Sequence, residues 1–241
     1  MGRKRIQVLF DSRAAKKGLR TGWGMSFLVD EAVLFDTGEN GQWLLENMQQ
    51  LGVDVKKIAA VVISHDHWDH TGGLEAVLKE RPDIPVFVCS DVSTVTEKLI
   101  RKYTKSVIKS KEPQKVRVDI FTSGEILTDY KGAFLAEQAL VVKSAKGLVI
   151  LTGCAHPGIT RTVEKIKGQF PQTKILLAAG GFHLMNAEKR VAALTADELL
   201  RLGVARAGPT HCTGDEAEKV FKDKFGKNFI AIKVGTEIPT S

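Results

Sequence analysis

The chain is short of the residues that staple, span or stack. Three cysteines at scattered positions in 241 residues argue against a disulfide framework, which needs paired thiols in an oxidising compartment. No apolar run approaches the ~20 residues required to cross a bilayer. The basic start Met1-Gly2-Arg3-Lys4-Arg5 leads straight into Ile6-Gln7-Val8-Leu9-Phe10, without the apolar stretch and small-residue cleavage site of a secretion signal. A cytoplasmic location and no membrane partner are the expectation. Low-complexity tracts and short-period repeats are absent too. At this length a single α/β domain covering residues 1–241 can bury a sizeable core.

Charge of one sign is concentrated. The net charge is +7, and Glu97 to Arg117 holds eight basic residues (Lys98, Arg101, Lys102, Lys105, Lys109, Lys111, Lys115 and Arg117) against Glu97 and Glu112. Residues 90–118 therefore read as a basic insertion. Its bland meaning is a solvated helix face; its sharper one is a cationic wall that attracts a small anionic substrate. Nucleic acid is a weaker partner, because base stacking needs aromatics and Tyr103 is the only one there. Nothing in the pattern sets the oligomeric state.

Histidine is the exception to this sparseness. The chain has six, and all of them sit beside strand ends or in glycine-rich turns: His65, His67, His70, His156, His183 and His211. The densest stretch, Ser64-His65-Asp66-His67-Trp68-Asp69-His70-Thr71-Gly72-Gly73, follows the apolar run Ala59-Ala60-Val61-Val62-Ile63. That run reads as a strand buried on both faces. Imidazole and carboxylate are the ligands of zinc and related divalent metals. Side chains alternate along an extended segment, so His65 and His67 face one metal together, while Asp66 points away. Asp69 and His70 lie past the turn, where they reach a second metal.

No histidine falls between residues 71 and 155, so the first metal must recruit His156 or His183; His156, a short turn beyond a strand, is preferred. A helix cap near Ile159 is its alternative role. His211, after a strand, serves the second metal. His183 has four open roles: metal ligand, proton donor to a leaving group, phosphate contact, or packing behind Gly180-Gly181. Cys89 reads as core, and Cys212 should point away from the side of His211. Trp68 is core or pocket wall. Asp36 before Thr37-Gly38 is explained by an Asx turn.

His65-x-His67-x-Asp69-His70 after a buried strand resembles the signature of the metallo-β-lactamase superfamily. Phe27-Leu28-Val29 with Val33-Leu34-Phe35-Asp36-Thr37-Gly38 resembles its early strand pair. Gly153-Cys154-Ala155-His156-Pro157-Gly158-Ile159, Gly180-Gly181-Phe182-His183-Leu184 and Pro209-Thr210-His211-Cys212-Thr213-Gly214 are similar to one branch, which includes dihydropterin–ribofuranosylaminobenzene phosphate synthases and many metal-dependent hydrolases. The resemblance implies a four-layer αββα sandwich with ligands at one edge of the sheets. It implies two divalent metals, zinc foremost, with manganese or iron as alternatives. Asp36 would then steady a ligating imidazole from behind. Where most two-metal relatives carry a bridging aspartate, this chain has Cys154, either a thiolate ligand or a small core filler.

The chemistry so implied is hydrolysis by a metal-activated hydroxide, since a divalent metal lowers the pKa of its water from about 15.7 towards roughly 7. The substrate would be anionic, phosphate-bearing or an ester. Asp69 would hold the second metal and manage the nucleophile's proton, with His183 as a further catalytic candidate. Four rivals stand beside it. A transferase would join a dihydropterin to an aminobenzene ribofuranosyl phosphate. A di-iron redox enzyme would carry glutamate at the place of His67, and a nuclease would need an added binding arm. A non-catalytic metal-dependent binder would hold ligand without turnover. No residue is marked in the sequence as a substrate contact.

Overall fold

The computed structural model describes residues 4–240. Its first half runs β1 (Ile6–Phe10), β2 (Ser26–Val29), β3 (Val33–Phe35), α1 (Gly41–Gln50), β4 (Ala60–Val62), α2 (Trp68–Thr71), α3 (Leu74–Glu80), β5 (Val86–Val88), α4 (Thr94–Arg101) and β6 (Val107–Lys109). The second half runs β7 (Lys115–Arg117), β8 (Ile120–Thr122), β9 (Ile126–Tyr130), β10 (Ala133–Glu137), β11 (Leu140–Ser144), β12 (Gly147–Thr152), α5 (Ile159–Gln169), β13 (Ile175–Gly181), α6 (Lys189–Arg201), β14 (Ala207–Thr210), α7 (Asp215–Phe225) and β15 (Glu237–Ile238). One sheet has seven strands in the order β15-β1-β2-β3-β4-β5-β6, the other six in the order β14-β13-β12-β11-β8-β7. A separate two-stranded ribbon pairs β9 with β10.

Strand alternation sorts the apolar residues into three buried clusters, one at each interface of an αββα sandwich. On β4, Val62 joins Phe27, Phe35, Val149, Leu151 and Leu177 between the sheets. Its neighbour Val61 turns outward to Leu44, Met48, Leu74 and Val77 of α1 and α3. Ile150 on β12 faces Ile159, Val163, Leu199 and Phe221 on the outer helices of the second sheet. Such two-sided burial is why β4 reads as an unbroken apolar run.

Local signals end the helices as their residues dictate. Asn40 accepts the Trp43 amide at the start of α1, and Gly52 follows its end with φ 69, a conformation glycine adopts without penalty. Ser93 caps α4 by accepting from Thr96.

Three expectations need correcting. Apolar and basic spacing suggests a helix from Val92 to about Lys109, but α4 stops at Arg101 and Val107–Lys109 pairs with β5 as an edge strand; β-branched Val107 and Ile108 favour a ladder once one is offered. Val116–Ser123 is two antiparallel strands, reversed by Asp119 at φ 62. Phe229–Val234 makes only isolated bridges, to Ala207 and Ala14, and the closing strand is Glu237–Ile238 against β1. The hairpin β9–β10 had no counterpart in the sequence reading.

Residues 90–118 supply α4, β6 and β7, the outermost strand of each sheet, and carry the chain from one sheet to the other.

Truncating Leu151, fully buried between the sheets, to alanine should cost about 2–5 kcal/mol of unfolding free energy by denaturant titration. Val118→Ala on the exposed turn should stay within about 0.5 kcal/mol.

Candidate metal centre

The parallel strands β3, β4, β12, β13 and β14 end along one edge of the sandwich. Crevices at the carboxyl ends of such strands are where α/β sheets place their ligands. Asp36 follows β3, residues 63–70 follow β4, Cys154 and His156 follow β12, His183 follows β13 and His211 follows β14. Asp36, His183 and His211 all take positive φ (57, 53 and 53), a conformation that costs a non-glycine residue and concentrates at functional sites.

Hydrogen bonds decide which nitrogen each ring presents. Ser64 Oγ donates to Asp36 Oδ2 at 2.7 Å, so it accepts from His65 Nδ1 at 2.8 Å. His65 Nε2 is left as a lone pair, 3.0 Å from His67 Nδ1. His70 Nδ1 meets Asp36 Oδ2 at 2.7 Å, which turns its Nε2 toward Cys154 Sγ at 3.3 Å and Asp69 Oδ2 at 3.4 Å. His156 Nδ1 meets Glu137 Oε2 at 2.9 Å, freeing its Nε2. Carboxylate-backed imidazoles of this kind are the usual second layer of a metal site.

Two groups of ligand atoms result. His65, Cys154 and His156 form one; Asp69, His70, Cys154 and His211 form the other. His67 joins the first, its ring centroid 4.5 Å from that of His65 and 4.9 Å from that of His156. Cys154 lies in both. A third group, Cys154, His183 and Cys212, lies beside them.

The donor set fits divalent metal on an observation independent of motif. His211 is buried, yet neither ring nitrogen finds a hydrogen-bond partner. Its Nε2 lies 3.2 Å from Asp69 Oδ2, out of hydrogen-bonding alignment. Buried polar atoms are rarely left so, and a cation between ring and carboxylate would satisfy both.

Charge is balanced accordingly. Burial opposes the Asp69 charge, but the His211 and His70 rings facing it outweigh that and hold the carboxyl well below its usual range. Burial also opposes ionised Glu137, yet the charge of His65 and the hydrogen bond of His156 keep it far below normal. Burial disfavours the His70 cation, while the Asp36 and Asp69 carboxylates raise its pKa to about 10. Hydrogen bonding with Cys212 and burial push the Cys154 thiol up. A cation against that sulfur would reverse the effect, because a coordinating thiol ionises outright.

Sequence reasoning missed Glu137 and Tyr130, both on the β9–β10 hairpin. Glu137 is fully buried by its neighbours and also accepts the amides of Cys154, Ala155 and His156 at 2.8, 2.7 and 2.9 Å. The available signal was Lys131-Gly132 between two stretches of strand-like alternation. Asp66 points away, as expected, and caps α4 through Ser93 and Thr96. Cys212 does not turn away from the site: its sulfur is 3.6 Å from the Cys154 carbonyl and it lines the pocket. The short helical turn His211–Thr213 removes the strand alternation on which that expectation rested. Trp68 is pocket wall, 62% exposed. Lys131, not the basic segment 97–117, is the cation that lines the pocket.

The family model for the metallo-beta-lactamase superfamily matches residues 24–211. The chain belongs to that superfamily. It is 30% identical over 258 residues to the 7,8-dihydropterin-6-methyl-4-(beta-D-ribofuranosyl)-aminobenzene-5'-phosphate synthase of Methanocaldococcus jannaschii, with 88% of each chain covered. A crystal structure of a metal-dependent hydrolase of the beta-lactamase superfamily superposes with a TM-score of 0.83 at 28% identity, covering 99% of both chains. A metallo-beta-lactamase fold protein from Bacillus subtilis shares the fold at a TM-score of 0.67 and 14% identity, again over 99% of both. Superfamily membership brings divalent metal as the typical cofactor. Among the described residues no helix is long and apolar enough to cross a membrane.

Glu137→Gln keeps the shape but removes the charge behind His156, and should weaken metal binding by about 10- to 100-fold, read by competition with a chromophoric chelator. Unchanged affinity would reduce Glu137 to a loop fastener. A proton on His70 Nε2 competes with metal for that atom, and with its pKa raised to about 10 the proton is present at pH 7. Metal loading should therefore release it, and affinity should rise with pH towards 10 and fall on acidification. Calorimetry in two buffers of different protonation enthalpy measures the release; none would remove His70 from the ligand set.

Proposed function

We propose that the protein is a hydrolase with two divalent metals, one held by His65, His67 and His156, the other by Asp69, His70 and His211, with the Cys154 thiolate between them. Buried His211, with both nitrogens unpartnered beside Asp69, is the observation that carries this reading. Zinc suits a set of imidazoles, one carboxylate and one thiolate better than a harder cation does. When bound, such metals acidify water and polarise a carbonyl or phosphoryl oxygen. The reading extends to an ester or phosphate-bearing anionic substrate.

The chain's own groups supply the rest. Asp36, through His70 Nδ1, and Glu137, through His156 Nδ1, hold two imidazoles in the tautomer that exposes Nε2. Asp69 lines the pocket, where its carboxylate would orient the nucleophile. His183 lines the pocket, exposed, with its ring 4.4 Å from that of His156. No carboxylate locks it, so it can hand a proton to a leaving group. Trp23 and Trp68 line the pocket beside the Asp69–His70–His211 group.

Transfer is the second reading, favoured by the similarity to the archaeal synthase over 88% of both chains. There the same metals would stabilise a departing diphosphate, and the nucleophile would be the amino nitrogen of the aminobenzene instead of water, its proton lost as the new C–N bond forms.

Protein purified without added metal or chelator should contain close to two divalent ions per chain by elemental analysis. His67→Ala should lose metal and turnover of chromogenic esters or phosphodiesters together, and full retention of both would overturn the assignment. Cys154→Ser should lower the metal content; an unchanged content would return that sulfur to the core.

A further inference from the structure

The pocket has two unlike flanks. Tyr130 and Lys131 occupy the tip of the β9–β10 hairpin, where Tyr130 pairs with Ala133 across the two-residue turn Lys131-Gly132. Both turn residues have positive φ, 54 for Lys131 and 75 for Gly132. Glycine accepts this freely, whereas lysine does so at some cost. The turn holds the Tyr130 ring centroid 4.3 Å from His156, 5.3 Å from His183 and 5.7 Å from His67. Lys131 Nζ stands 5.1 Å from the centre of the Tyr130 ring. Its ammonium thus lies over an aromatic face rather than against a carboxylate.

On the far side Trp23 packs 4.7 Å from His211, and Trp68 presents 62% of its surface to solvent. A polar, cationic flank adjoins the His65–His67–His156 group, and an aromatic flank adjoins the Asp69–His70–His211 group. The basic residues of 97–117 line neither.

We propose that Tyr130 and Lys131 form an anion subsite that takes a phosphate or carboxylate of the substrate, away from the bond that reacts, and so orients the substrate's apolar part over Trp23 and Trp68. This rests on the hydrolase reading above. An ammonium offers three donors and a phenol one, and such donors bind an oxyanion more strongly than neutral pairs do. A lysine with no carboxylate partner among the described residues, on one side of the candidate ligands, gives binding a direction.

The test uses the metal-loaded full chain and two esters with one leaving group, the 4-nitrophenyl monoester of succinate and 4-nitrophenyl butyrate. They differ in a remote carboxylate. Lys131→Met should lower the ratio of kcat/KM for the anionic over the neutral ester on the order of tenfold, the scale of one charged hydrogen bond. Lys131→Arg should restore the ratio. A Lys98→Ala/Lys102→Ala double variant, which removes charge outside the pocket, should leave it as in the parent. Calorimetric titration with inorganic phosphate and with acetate separates the two anion classes, and binding of at least one should weaken on the order of tenfold in Lys131→Met. An unchanged ratio with unchanged anion affinity in Lys131→Met would overturn the subsite, as would an equal loss in the double variant. Should the parent hydrolyse neither ester nor bis(4-nitrophenyl) phosphate, the hydrolase reading fails, while the anion titrations still decide the subsite.

Discussion

Six imidazoles share one small volume, and buried carboxylates are what make that arrangement tenable. Asp36 and Glu137 have no solvent to stabilise their charge, yet each is hydrogen-bonded on both oxygens. Asp36 joins the Ser64 amide and hydroxyl to the His70 ring, so one group sets the conformation after β4 and the tautomer of a ligand. Glu137 does the same for the loop after β12, gathering three successive amides and the His156 ring. Burial of an unpaired carboxylate would cost several kcal/mol. The histidines are thus fixed by the same bonds that offset that cost.

The two sheets meet their ligands at one edge because their parallel strands all end there. Close backbone contact closes the seam. A Cβ on Gly153 would lie 2.0 Å from Ser64 Oγ and 3.0 Å from Asp36 Oδ2, so only glycine lets β12 approach the bonds that orient His65 and His70. The site is therefore an interface between halves, and neither half holds a complete ligand set. His65, His67, Asp69 and His70 come from the first, and Cys154, His156 and His211 from the second.

The β9–β10 ribbon stands apart from both sheets, and it carries the pocket's distinctive chemistry. Its base contributes Glu137 to the ligand scaffold, and its tip contributes Tyr130 and Lys131 to the pocket wall. A short ribbon is free to vary in sequence without disturbing the sandwich. That division, candidate metal ligands on the sheet edge and pocket-wall residues on a ribbon, is one way for a fold to host different reactions.

Much of this was written in local pattern. The unbroken apolar run of β4, the glycine after α1 and the spacing of His65, His67, Asp69 and His70 need only nearest neighbours to be read, because alternation and helix capping are local physics. So does the side to which Asp66 points. Other features depended on partners distant in sequence. Glu137 looks like any polar residue at a strand end until β12 brings three amides and His156 to it. The basic run 97–117 has the composition of a binding wall, but pairing with β5 and β8 carries it to the outer edges of the sheets. Cys212 left its expected side because a turn of helix replaced the strand. Sequence alone determined the strongly periodic strands and helices and the types of candidate ligand, since these follow from periodicity and donor chemistry. Tertiary structure alone decided which carboxylate backs which histidine and which cation enters the pocket, because burial and charge pairing exist only once the two halves have met.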